Sequence, residues 1–338
     1  MALMVRHVRW GILSTARIGV RRILPALVRS RTGIAHAVAS RDPARARTVA
    51  AQFNIPRVHA SYEALLADAD VDAVYIPLPN SLHMELTVRA AQAGKHVLCE
   101  KPLGLTAAQA QTMVEAASRA GVLLQEAFMY RFHPQTDEVR RRLTSGAIGT
   151  PWLVRAAFTF GVTSADDIRL NAGLGGGGLL DVGCYCVSVS RLLLGEPQSG
   201  WSTATFERGV DVRLAGMLRF PTATALIDCG LRAPYRQLCE VVGSDGTITV
   251  PRPFQPEEDP AVVVERTGNQ EDRVELPGTN QYTLMLDHMG TCILEKQLPR
   301  FPAEDAVANM RVLDALAAST RSGQIHRIMG DGPPGLTD

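Results

Sequence analysis

A lysine at the end of a short apolar run is the first side chain in the sequence that could take part in chemistry. The segment "HVLCEKPLGLT" begins at His96, and Glu100, Lys101 and Pro102 follow its apolar residues. An apolar run of this length predicts a buried strand, and Pro102 predicts where the strand stops. Lys101 would then lie at the strand end, where its ammonium group can pair with an anion. A surface lysine at a strand end explains the same pattern equally well.

The stretch "WGILSTARIG", Trp10–Gly19, has the layout of a phosphate-binding turn between a strand and a helix. In the dinucleotide fingerprint three glycines allow a tight turn, close approach of the pyrophosphate and close packing of the helix on the strand. Only the third remains here, as Gly19, because Ser14 and Ala16 replace the other two. Ser14 is tolerable if its backbone is not left-handed, and the N–H groups at the helix start still attract an anion. A plain strand–turn–helix is an equally good interpretation of this stretch alone.

The residues after the second predicted strand bear on which dinucleotide would bind. An acidic residue there selects the ribose hydroxyl of NAD, whereas Ser40 and Arg41 suit the 2′-phosphate of NADP. Asp42-Pro43 have the pattern of a helix cap and a first helical residue, with Arg41 in solvent. Asp42 could also bind the ribose of NAD. Because Asp42 already has a role as a cap, the pattern favours NADP over NAD.

These segments need a sheet to bring them together. Up to about residue 128, strands predicted over 8–13, 34–40, 73–78, 96–100 and 122–127 alternate with helices over 17–30, 43–53, 61–67, 82–93 and 106–120. Such alternation predicts an α/β Rossmann domain, a doubly wound parallel sheet that binds its ligand at the carboxyl ends of the strands.

After residue 128 the pattern changes. A helix over 133–146, a strand over 151–160, a helix over about 178–194, the hairpin "EVVGSDGTITV" and helices over 281–296 and 303–322 follow. They predict an α+β domain with a large, mostly antiparallel open sheet. We therefore expect two domains, residues 1–127 for NAD(P) and residues 128–338 for substrate binding and oligomerisation.

Composition excludes several classes of protein. The 338 residues carry 35 basic and 34 acidic side chains, so the net charge of +1 predicts no nucleic-acid or membrane partner. No apolar run reaches spanning length, and Arg6 and Arg9 lie where a signal peptide needs an apolar core, which predicts a cytoplasmic protein. The six cysteines lack Cys-x-x-Cys spacing, which predicts reduced thiols and no metal site. The run Arg140-Arg141-Arg142 predicts a solvated helix face.

Four motifs occur in order along the chain, "AVYIPLPNSLH", "EKP", "EAFMYRFHP" and "GGGGLLDVGCYCV". Together they resemble the Gfo/Idh/MocA family of nicotinamide-dependent sugar oxidoreductases. The resemblance spans nearly the whole chain and points to the branch of dimeric dihydrodiol dehydrogenases and NADP-dependent xylose dehydrogenases. It implies a carbohydrate substrate. An open sheet with helices on one side also predicts a homo-oligomer, a dimer or tetramer, formed through the uncovered face.

The resemblance also implies the residues of the site. The implied cofactor-binding residues are Gly11, Ser14, Thr15, Ala16, Arg17, Ile18, Ser40, Arg41, Pro77, Leu78, Asn80, His83, Glu100 and Lys101. A catalytic group is implied in "LLDVGCYCV", where Tyr185 takes a position that is His in many members and Asp181 lies four residues earlier. That spacing places both on one helix face. Without Lys101 beside them, a packed core tyrosine and a helix cap would be the better interpretations.

Lys101, Tyr185 and Asp181 are therefore the predicted catalytic residues, and they bind substrate together with Arg169. Arg169 could instead hold the glycine loop. Tyr130 and Phe132 could flank the nicotinamide or pack in the core. The predicted function is an NADP-dependent aldose 1-dehydrogenase of xylose type. The alternatives are a trans-dihydrodiol dehydrogenase, a reductase of nucleotide-linked keto-sugars and a non-catalytic cofactor sensor, and a sensor would not need both Lys101 and Tyr185.

Overall fold

The structure is a computed structural model that describes residues 6–328. The chain forms two compact units. The first contains the residues up to Gly104 together with Ala108–His133 and Asn280–Ala306, and the second contains Leu105–Ala107, Pro134–Thr279 and the residues from Val307 onward. The amino-terminal part of the first unit ends at His133, a few residues beyond the predicted boundary at residue 127. The first unit also includes Asn280–Ala306, because this segment packs against it. The predicted division puts the same segment in the second domain.

The first unit is built on a six-stranded sheet. Its strands are β1 Val8–Leu13, β2 Gly33–Ala39, β3 Arg57–His59, β4 Ala73–Ile76, β5 His96–Cys99 and β6 Leu124–Glu126. They lie in the order β3-β2-β1-β4-β5-β6 with parallel pairings throughout. This is the predicted doubly wound arrangement, and its strand order reverses between β1 and β4. The three-residue β3 escapes prediction because so short a run carries no periodic pattern.

Helices follow nearly every strand of the first unit and continue through the second. In chain order they are α1 Leu24–Arg29, α2 Pro43–Phe53, α3 Tyr62–Leu66, α4 His83–Gln92, α5 Ala107–Ala120, α6 Pro134–Thr144, α7 Cys184–Leu194, α8 Gln281–Glu295 and α9 Ala303–Ser322. Two of the predicted helices begin with a π-helical turn, Gly19–Ile23 before α1 and Leu179–Gly183 before α7.

The second unit is built on a nine-stranded sheet. Its strands are β7 Pro151–Gly161, β8 Ser199–Glu207, β9 Val210–Arg219, β10 Thr224–Gly230, β11 Arg232–Gly243, β12 Gly246–Val250, β13 Ala261–Thr267, β14 Gln270–Leu276 and β15 His326–Arg327. The order is β14-β13-β12-β11-β7-β10-β9-β8-β15. Only β10 and β7 pair in parallel, which confirms the mostly antiparallel sheet. The predicted hairpin is β11–β12.

Side chains on the central strands of this sheet alternate between two environments. Leu218 on β9 and Ile227 on β10 are buried, and α7 packs against β7 and β10. Met217 and Leu226, each one position away along the strand, are 38% and 42% exposed. Because successive side chains of a strand point to opposite faces, one face carries helix α7 and the other is open.

The arginine run Arg140-Arg141-Arg142 on α6 is only partly solvated. Arg140 and Arg141 have side chains that are 44% and 63% exposed, as expected for a solvated face. Arg142 differs from the prediction, because α6 packs against β13 and turns its third arginine toward the sheet. Its guanidinium pairs with carboxylates of Glu138, Glu265 and Asp272 at 2.7, 2.6 and 2.7 Å.

One segment bears on the prediction that no apolar run is long enough to span a membrane. Ala172–Leu194 is long and apolar enough to cross a membrane by length and composition alone. However, 72% of its most apolar window is buried inside the protein. Burial of this kind is typical of a core helix, and α7, the last part of this segment, packs against β7 and β10 of the nine-stranded sheet.

Candidate active site

The carboxyl ends of four neighbouring strands bring together the predicted cofactor residues of the first unit. Ser14 follows β1, Ser40 follows β2, Pro77 follows β4 and Glu100 follows β5. The strands are parallel and adjacent in the order β2-β1-β4-β5, so these residues share one edge of the sheet. Ligands of open α/β sheets bind at this edge, where the strand order reverses.

In the turn after β1, a serine adopts a positive φ that is usually found at glycine. Ser14 has a φ of +130°, so the condition under which the sequence makes a serine easily tolerable in this turn is not met. The Ala16 N–H donates to Ser14 Oγ at 3.1 Å, and this contact supports the turn. The Val20 N–H donates to Ala16 O at 3.1 Å, which places Arg17 and Ile18 in the first helical turn. N–H groups of a first turn have no acceptor within the helix and can bind an anion.

Gly11 has a packing role in this structure. A Cβ atom at Gly11 would lie 2.6 Å from Leu65 Cδ2 and 3.1 Å from Val71 Cγ1. The missing side chain therefore lets α3 approach β1 closely. This packing places the turn after β1, but it does not require Gly11 to contact a ligand.

The end of β2 has the polar groups that a phosphate needs. Thr15 Oγ1 and Ser40 Oγ lie 3.2 Å apart, and both residues are buried. Arg41 is exposed, while the Asp42 carboxylate accepts the Arg45 N–H at 3.0 Å and caps α2. Asp42 thus has the capping role that the sequence predicts, and Arg41 remains as the cation at the end of β2.

Tyr62 is a residue of this edge that the sequence did not reveal. It is half-buried at the start of α3, its hydroxyl hydrogen-bonds the Ser14 side chain, and Arg41 lies within electrostatic reach. Burial raises the pKa of the Tyr62 hydroxyl, against the opposing effect of Arg41. No spacing rule connects Tyr62 to Ser14, because the contact forms only when α3 packs beside β1.

Lys101 lies in a segment that its neighbours hold firmly. The Tyr75 hydroxyl donates to Glu100 Oε1 at 2.6 Å, and the Lys101 N–H donates to Glu100 Oε2 at 3.3 Å. The Lys101-Pro102 peptide bond is cis. The Lys101 side chain is half-buried at the carboxyl end of β5, which is where the sequence places it.

His83 connects two of the loops at this edge. Its ring is fully buried, and its two nitrogens lie 2.9 Å from Pro102 O and 2.9 Å from Leu78 O. The side chain therefore holds the loop after β4 against the segment that carries Lys101. Burial lowers the pKa of His83, and the hydrogen bonds to the two carbonyl groups oppose that effect. Asn80, also implied for the cofactor, opens the 3₁₀ turn Asn80–Leu82 in the same loop.

The aromatic residues that end the main segment of the first unit are packed in its core. Tyr130 is 1% exposed and meets the Phe128 ring edge-on at 5.8 Å. Phe132 contacts the rings of His288 and Phe301 at 5.1 and 5.6 Å. These contacts favour the packing interpretation over a place beside the nicotinamide. His133 is buried, which lowers its pKa to about 4.

In the second unit, Arg169 and Asp181 form an ion pair. Arg169 Nε donates to Asp181 Oδ2 at 2.7 Å, and Arg169 Nη1 lies 3.3 Å from Asp167 Oδ1. The Asp181 carboxylate raises the pKa of Arg169, so the guanidinium stays charged. Asp181 is the third residue of the π-helical turn Leu179–Gly183, so it is not the cap of its helix. Arg169 holds its carboxylate in place.

Tyr185 lies one helical turn after Asp181, as the spacing predicts. Tyr185 is 3% exposed, and the centre of its ring lies 5.4 Å from that of Phe158 and 5.3 Å from that of Phe254. Phe158 and Phe254 are stacked on each other at 5.3 Å. These two phenylalanines were not candidates from the sequence, because β7 and the loop after β12 are distant from the helix along the chain. The cluster fixes the direction of the tyrosine ring.

The glycine-rich loop before this helix is shaped by two partners. The Gly177 N–H donates to Arg169 O at 2.9 Å, and a Cβ atom at Gly176 would lie 2.4 Å from the same oxygen. Asp211 on β9 accepts the Leu179 N–H at 2.6 Å. Burial raises the pKa of Asp211 to about 6. No sequence pattern points to Asp211, because it belongs to no motif and contacts the loop only through the fold.

Within residues 6–328, no group of three or more His, Cys, Asp or Glu side chains is arranged to hold a metal ion. All six cysteines are buried free thiols. The candidate site residues of the two units offer backbone N–H groups, hydroxyls, the Lys101 ammonium, guanidinium groups and carboxylates.

A Rossmann sheet with an anion-binding turn, followed by an α+β unit with a large open sheet, defines a class of nicotinamide-dependent oxidoreductase. Residues 8–128 match the family model described as an oxidoreductase family with an NAD-binding Rossmann fold, and residues 136–249 match the GFO/IDH/MocA C-terminal domain. The chain belongs to the GFO/IDH/MocA family of oxidoreductases. The resemblance identified from the four sequence motifs is confirmed.

Individual relatives differ in what they act on. D-xylose 1-dehydrogenase (NADP(+)) 2 of Haloferax volcanii is 40% identical, covering 93% of this chain and 98% of its own. Trans-1,2-dihydrobenzene-1,2-diol dehydrogenase of Xenopus laevis is 34% identical over 72% of this chain and 75% of its own. A 3-ketoreductase from Actinomadura kijaniata, solved with NADP and TDP-benzene, has a TM-score of 0.89 at 34% identity, covering 93% and 98% of the two chains.

Proposed function

We propose that the protein is an NADP-dependent dehydrogenase that oxidises the C1 hydroxyl of an aldose of xylose type. The observation that carries the proposal is the 40% identity, over 93% of this chain, to a protein named as an NADP-dependent D-xylose 1-dehydrogenase. The edge of the six-stranded sheet adds chemical support, because Arg41 is exposed there while the neighbouring Asp42 is occupied in capping α2.

The residues at this edge suit NADP. The first helical turn after Ser14 offers N–H groups to the pyrophosphate, and the loop Pro77–Asn80 and Glu100 border the same edge. Thr15 and Ser40 offer hydroxyls, and Arg41 offers a guanidinium, to the 2′-phosphate. Tyr62 would add a further hydroxyl there. When bound, NADP supplies the carbon centre that accepts a hydride from the sugar.

The protein's own part in the reaction is to handle the proton. Loss of hydride from C1 requires that the C1 hydroxyl lose its proton, and we assign its acceptance to Tyr185 Oη. A phenol is a poor base at its ordinary pKa, and a nearby cation favours the phenolate. We assign that cation to Lys101. Asp181, held by Arg169 at 2.7 Å, would orient the substrate hydroxyl or the lysine.

Substitution of Tyr185 and Lys101 tests this assignment. Tyr185→Phe and Lys101→Met should each lower kcat by about 100-fold or more, and Tyr185→Phe should leave the Kd for NADP unchanged. Tyr235→Phe is the matched control, because Tyr235 is 61% exposed on β11 and has no assigned role. Near-normal kcat for Tyr185→Phe at all pH values would show that another group, Lys101 or His133, takes the proton.

A reductase acting on a nucleotide-linked keto-sugar is the second candidate. It is favoured by the 3-ketoreductase of Actinomadura kijaniata, which was solved with TDP-benzene and also as tyrosine-to-phenylalanine and lysine-to-alanine variants. A thermal-unfolding assay separates the two functions. Thymidine diphosphate should raise the Tm of a nucleotide-sugar enzyme and leave a free-sugar enzyme unchanged. A panel of aldoses, keto-sugars and dihydrodiols, followed by absorbance of NADPH, then identifies the substrate class and detects a non-catalytic sensor as inactive.

We also propose that two copies of the chain associate through the open face of the nine-stranded sheet. Trp201, Met217 and Leu226 lie side by side on β8, β9 and β10, and Leu226 is in register with Arg155 on β7. All three apolar residues are 38–42% exposed. Such a row is an apolar patch that a second copy would cover. Light scattering at micromolar concentration should give twice the 36.5 kDa chain mass, and Leu226→Lys should halve it; a monomer for the unaltered chain would contradict the proposal.

A cytoplasmic location remains part of this proposal. All six cysteines are buried thiols, and none is in a disulfide. Such thiols are suited to a reducing compartment. Fractionation of cells that express the full-length protein, with a cytoplasmic marker as the reference, would test the location.

A further inference from the structure

We propose that Asp211 is a positioning residue that fixes the first turn of the helix carrying Asp181 and Tyr185. The proposal rests on the proposed function, because it assumes that Tyr185 handles the proton. Asp211 lies on β9, and both Asp211 and the helix belong to the second unit. Its carboxylate accepts backbone N–H groups at the start of that helix, so its effect on the site would act through the helix.

The first observation is the pair of backbone hydrogen bonds at the helix start. The Leu179 N–H donates to Asp211 Oδ2 at 2.6 Å, and the Gly178 backbone also hydrogen-bonds the carboxylate. Leu179 opens the π-helical turn Leu179–Gly183, which contains Asp181 and leads directly into α7. N–H groups at a helix start lack acceptors within the helix, so an acceptor from another strand determines where the helix begins.

The second observation is that the loop backbone lies close against the carboxylate, at Gly177 closer than any residue with a Cβ atom could come. A Cβ atom at Gly177 would lie 2.3 Å from Asp211 Oδ1, and Gly177 has a φ of +119°. A Cβ atom at Gly178 would lie 3.2 Å from Asp211 Oδ2. Two glycines of the motif "GGGGLLDVGCYCV" therefore have a physical reason, which is the close approach of this carboxylate.

The third observation concerns the charge. The Asp211 carboxylate is buried, and its hydrogen bonds are to backbone N–H groups. Among the residues that the structure describes it forms no ion pair, so no cation there balances its charge when it is ionised. Burying such a charge lowers stability, and a serine, threonine or asparagine can cap a helix without that penalty. A carboxylate has two equivalent acceptor oxygens, and here one side of the loop lies against each of them.

The test uses Asp211→Asn in the full chain. Asparagine keeps one acceptor oxygen and has an NH₂ group in place of the other, so one of the two oxygens that face the loop is lost while the charge is removed. We expect backbone hydrogen exchange over residues 177–186 to be several-fold faster, and kcat to fall by about 3–10-fold, with the KM for NADP within about two-fold of wild type. The unfolding midpoint at pH 7.5 should be equal to or higher than that of the wild type, because the buried charge is gone.

Asp287→Asn is the matched control. Asp287 Oδ1 also accepts backbone N–H groups, from Arg31 at 2.9 Å and Thr32 at 3.3 Å, but that turn leads into the amino end of β2. We expect Asp287→Asn to change stability and to leave kcat and the exchange of residues 177–186 unchanged.

Two results would overturn the proposal. One is wild-type exchange over residues 177–186 together with wild-type kcat in Asp211→Asn. The other is a loss of kcat that follows a matching loss of stability, which would make Asp211 a structural cap only. Measured in parallel, Tyr185→Phe reports on the proposed function itself. If Tyr185→Phe kept its kcat, the proposed function would fail, and the exchange data would still decide whether Asp211 fixes the turn.

Discussion

Two turns in this molecule lead into a helix through a π-helical turn, and they reach that geometry with different residues. Ser14–Gly19 follows β1 in the first unit, and Gly173–Gly178 precedes the Tyr185 helix in the second. The first turn places a serine at a φ of +130°, whereas the second uses glycines against Arg169 O and the Asp211 carboxylate. The first turn therefore carries side chains that can contact a ligand. In the second turn the space beside the glycines is filled by the Arg169 carbonyl oxygen and the Asp211 carboxylate.

The difference shows why a glycine count is a poor guide to function. The turn with few glycines lies at the sheet edge where strand order reverses and is the one suited to pyrophosphate. The turn with many glycines binds no phosphate in our account and serves to seat a helix on Asp211. Substitutions in each turn or its surroundings should separate the two roles, and their expected effects differ in size.

Gly177→Ala should have the largest effect. The new Cβ would lie 2.3 Å from Asp211 Oδ1 at a φ of +119°. We expect a loss of about 3–5 kcal/mol in the free energy of unfolding, because strain and overpacking both apply. Gly173→Ala is the control, since its nearest contact would be Asn171 Oδ1 at 3.3 Å. Guanidinium unfolding followed by tryptophan fluorescence measures both variants, and equal stability of the two would refute the role of Asp211 in shaping the loop.

The charge of Asp211 should make stability depend on pH. Its folded pKa of about 6 lies above the ordinary value of 3.8, so the protonated form is the more stable one in the folded chain. The stabilising contribution is full below about pH 3.8 and is lost as the pH rises through about 6. Asp211→Asn should therefore gain up to about 3 kcal/mol relative to wild type between pH 4 and pH 7.5.

The comparison of the two chains at each pH cancels the titration of other carboxylates. Urea unfolding at pH 4.5 and 7.5 measures the difference in the free energy of unfolding between wild type and Asp211→Asn. A difference that does not change with pH would mean that Asp211 titrates near its ordinary pKa.

Arg41→Ala tests the side chains around the first turn. Loss of a charge-assisted contact to the 2′-phosphate should weaken NADP by about 1.5–3 kcal/mol and leave NAD nearly unchanged. Arg45→Ala is the control, because Arg45 is also exposed and lies four residues further on. Calorimetric titration of both dinucleotides gives the Kd values, and equal losses for NADP and NAD would exclude a role for Arg41 in selecting the phosphate.

Ser14→Gly should have the smallest effect. Glycine relieves the positive φ of Ser14 but removes the 3.1 Å hydrogen bond from the Ala16 N–H. The two changes oppose each other, so we expect stability within about 1 kcal/mol of wild type and a Kd for NADP within about two-fold. A much weaker Kd at unchanged stability would show that the serine hydroxyl itself contacts the cofactor.

Local patterns in the sequence predict the fold and the frame of the site. The cap Asp42-Pro43, the hairpin at Ser244–Gly246 and the spacing of Asp181 and Tyr185 all depend on residues that are neighbours along the chain. The residues that the sequence does not reveal act across elements. Asp211 meets its helix from β9, and Tyr62 meets Ser14 from α3, so no spacing rule reports them. The φ of Ser14 escapes prediction for the same reason, because the packing around the turn decides it.

The central claim is that hydride moves from C1 of an aldose to the nicotinamide of NADP. Incubation of the enzyme with NADP⁺ and D-xylose carrying deuterium at C1 tests it directly, with mass spectrometry of the NADPH formed. We expect that the NADPH gains one deuterium, that unlabelled xylose gives none, and that Tyr185→Phe forms the same labelled product about 100-fold more slowly. NADPH formed without deuterium, or no NADPH from any C1-labelled aldose in the panel, would contradict the account.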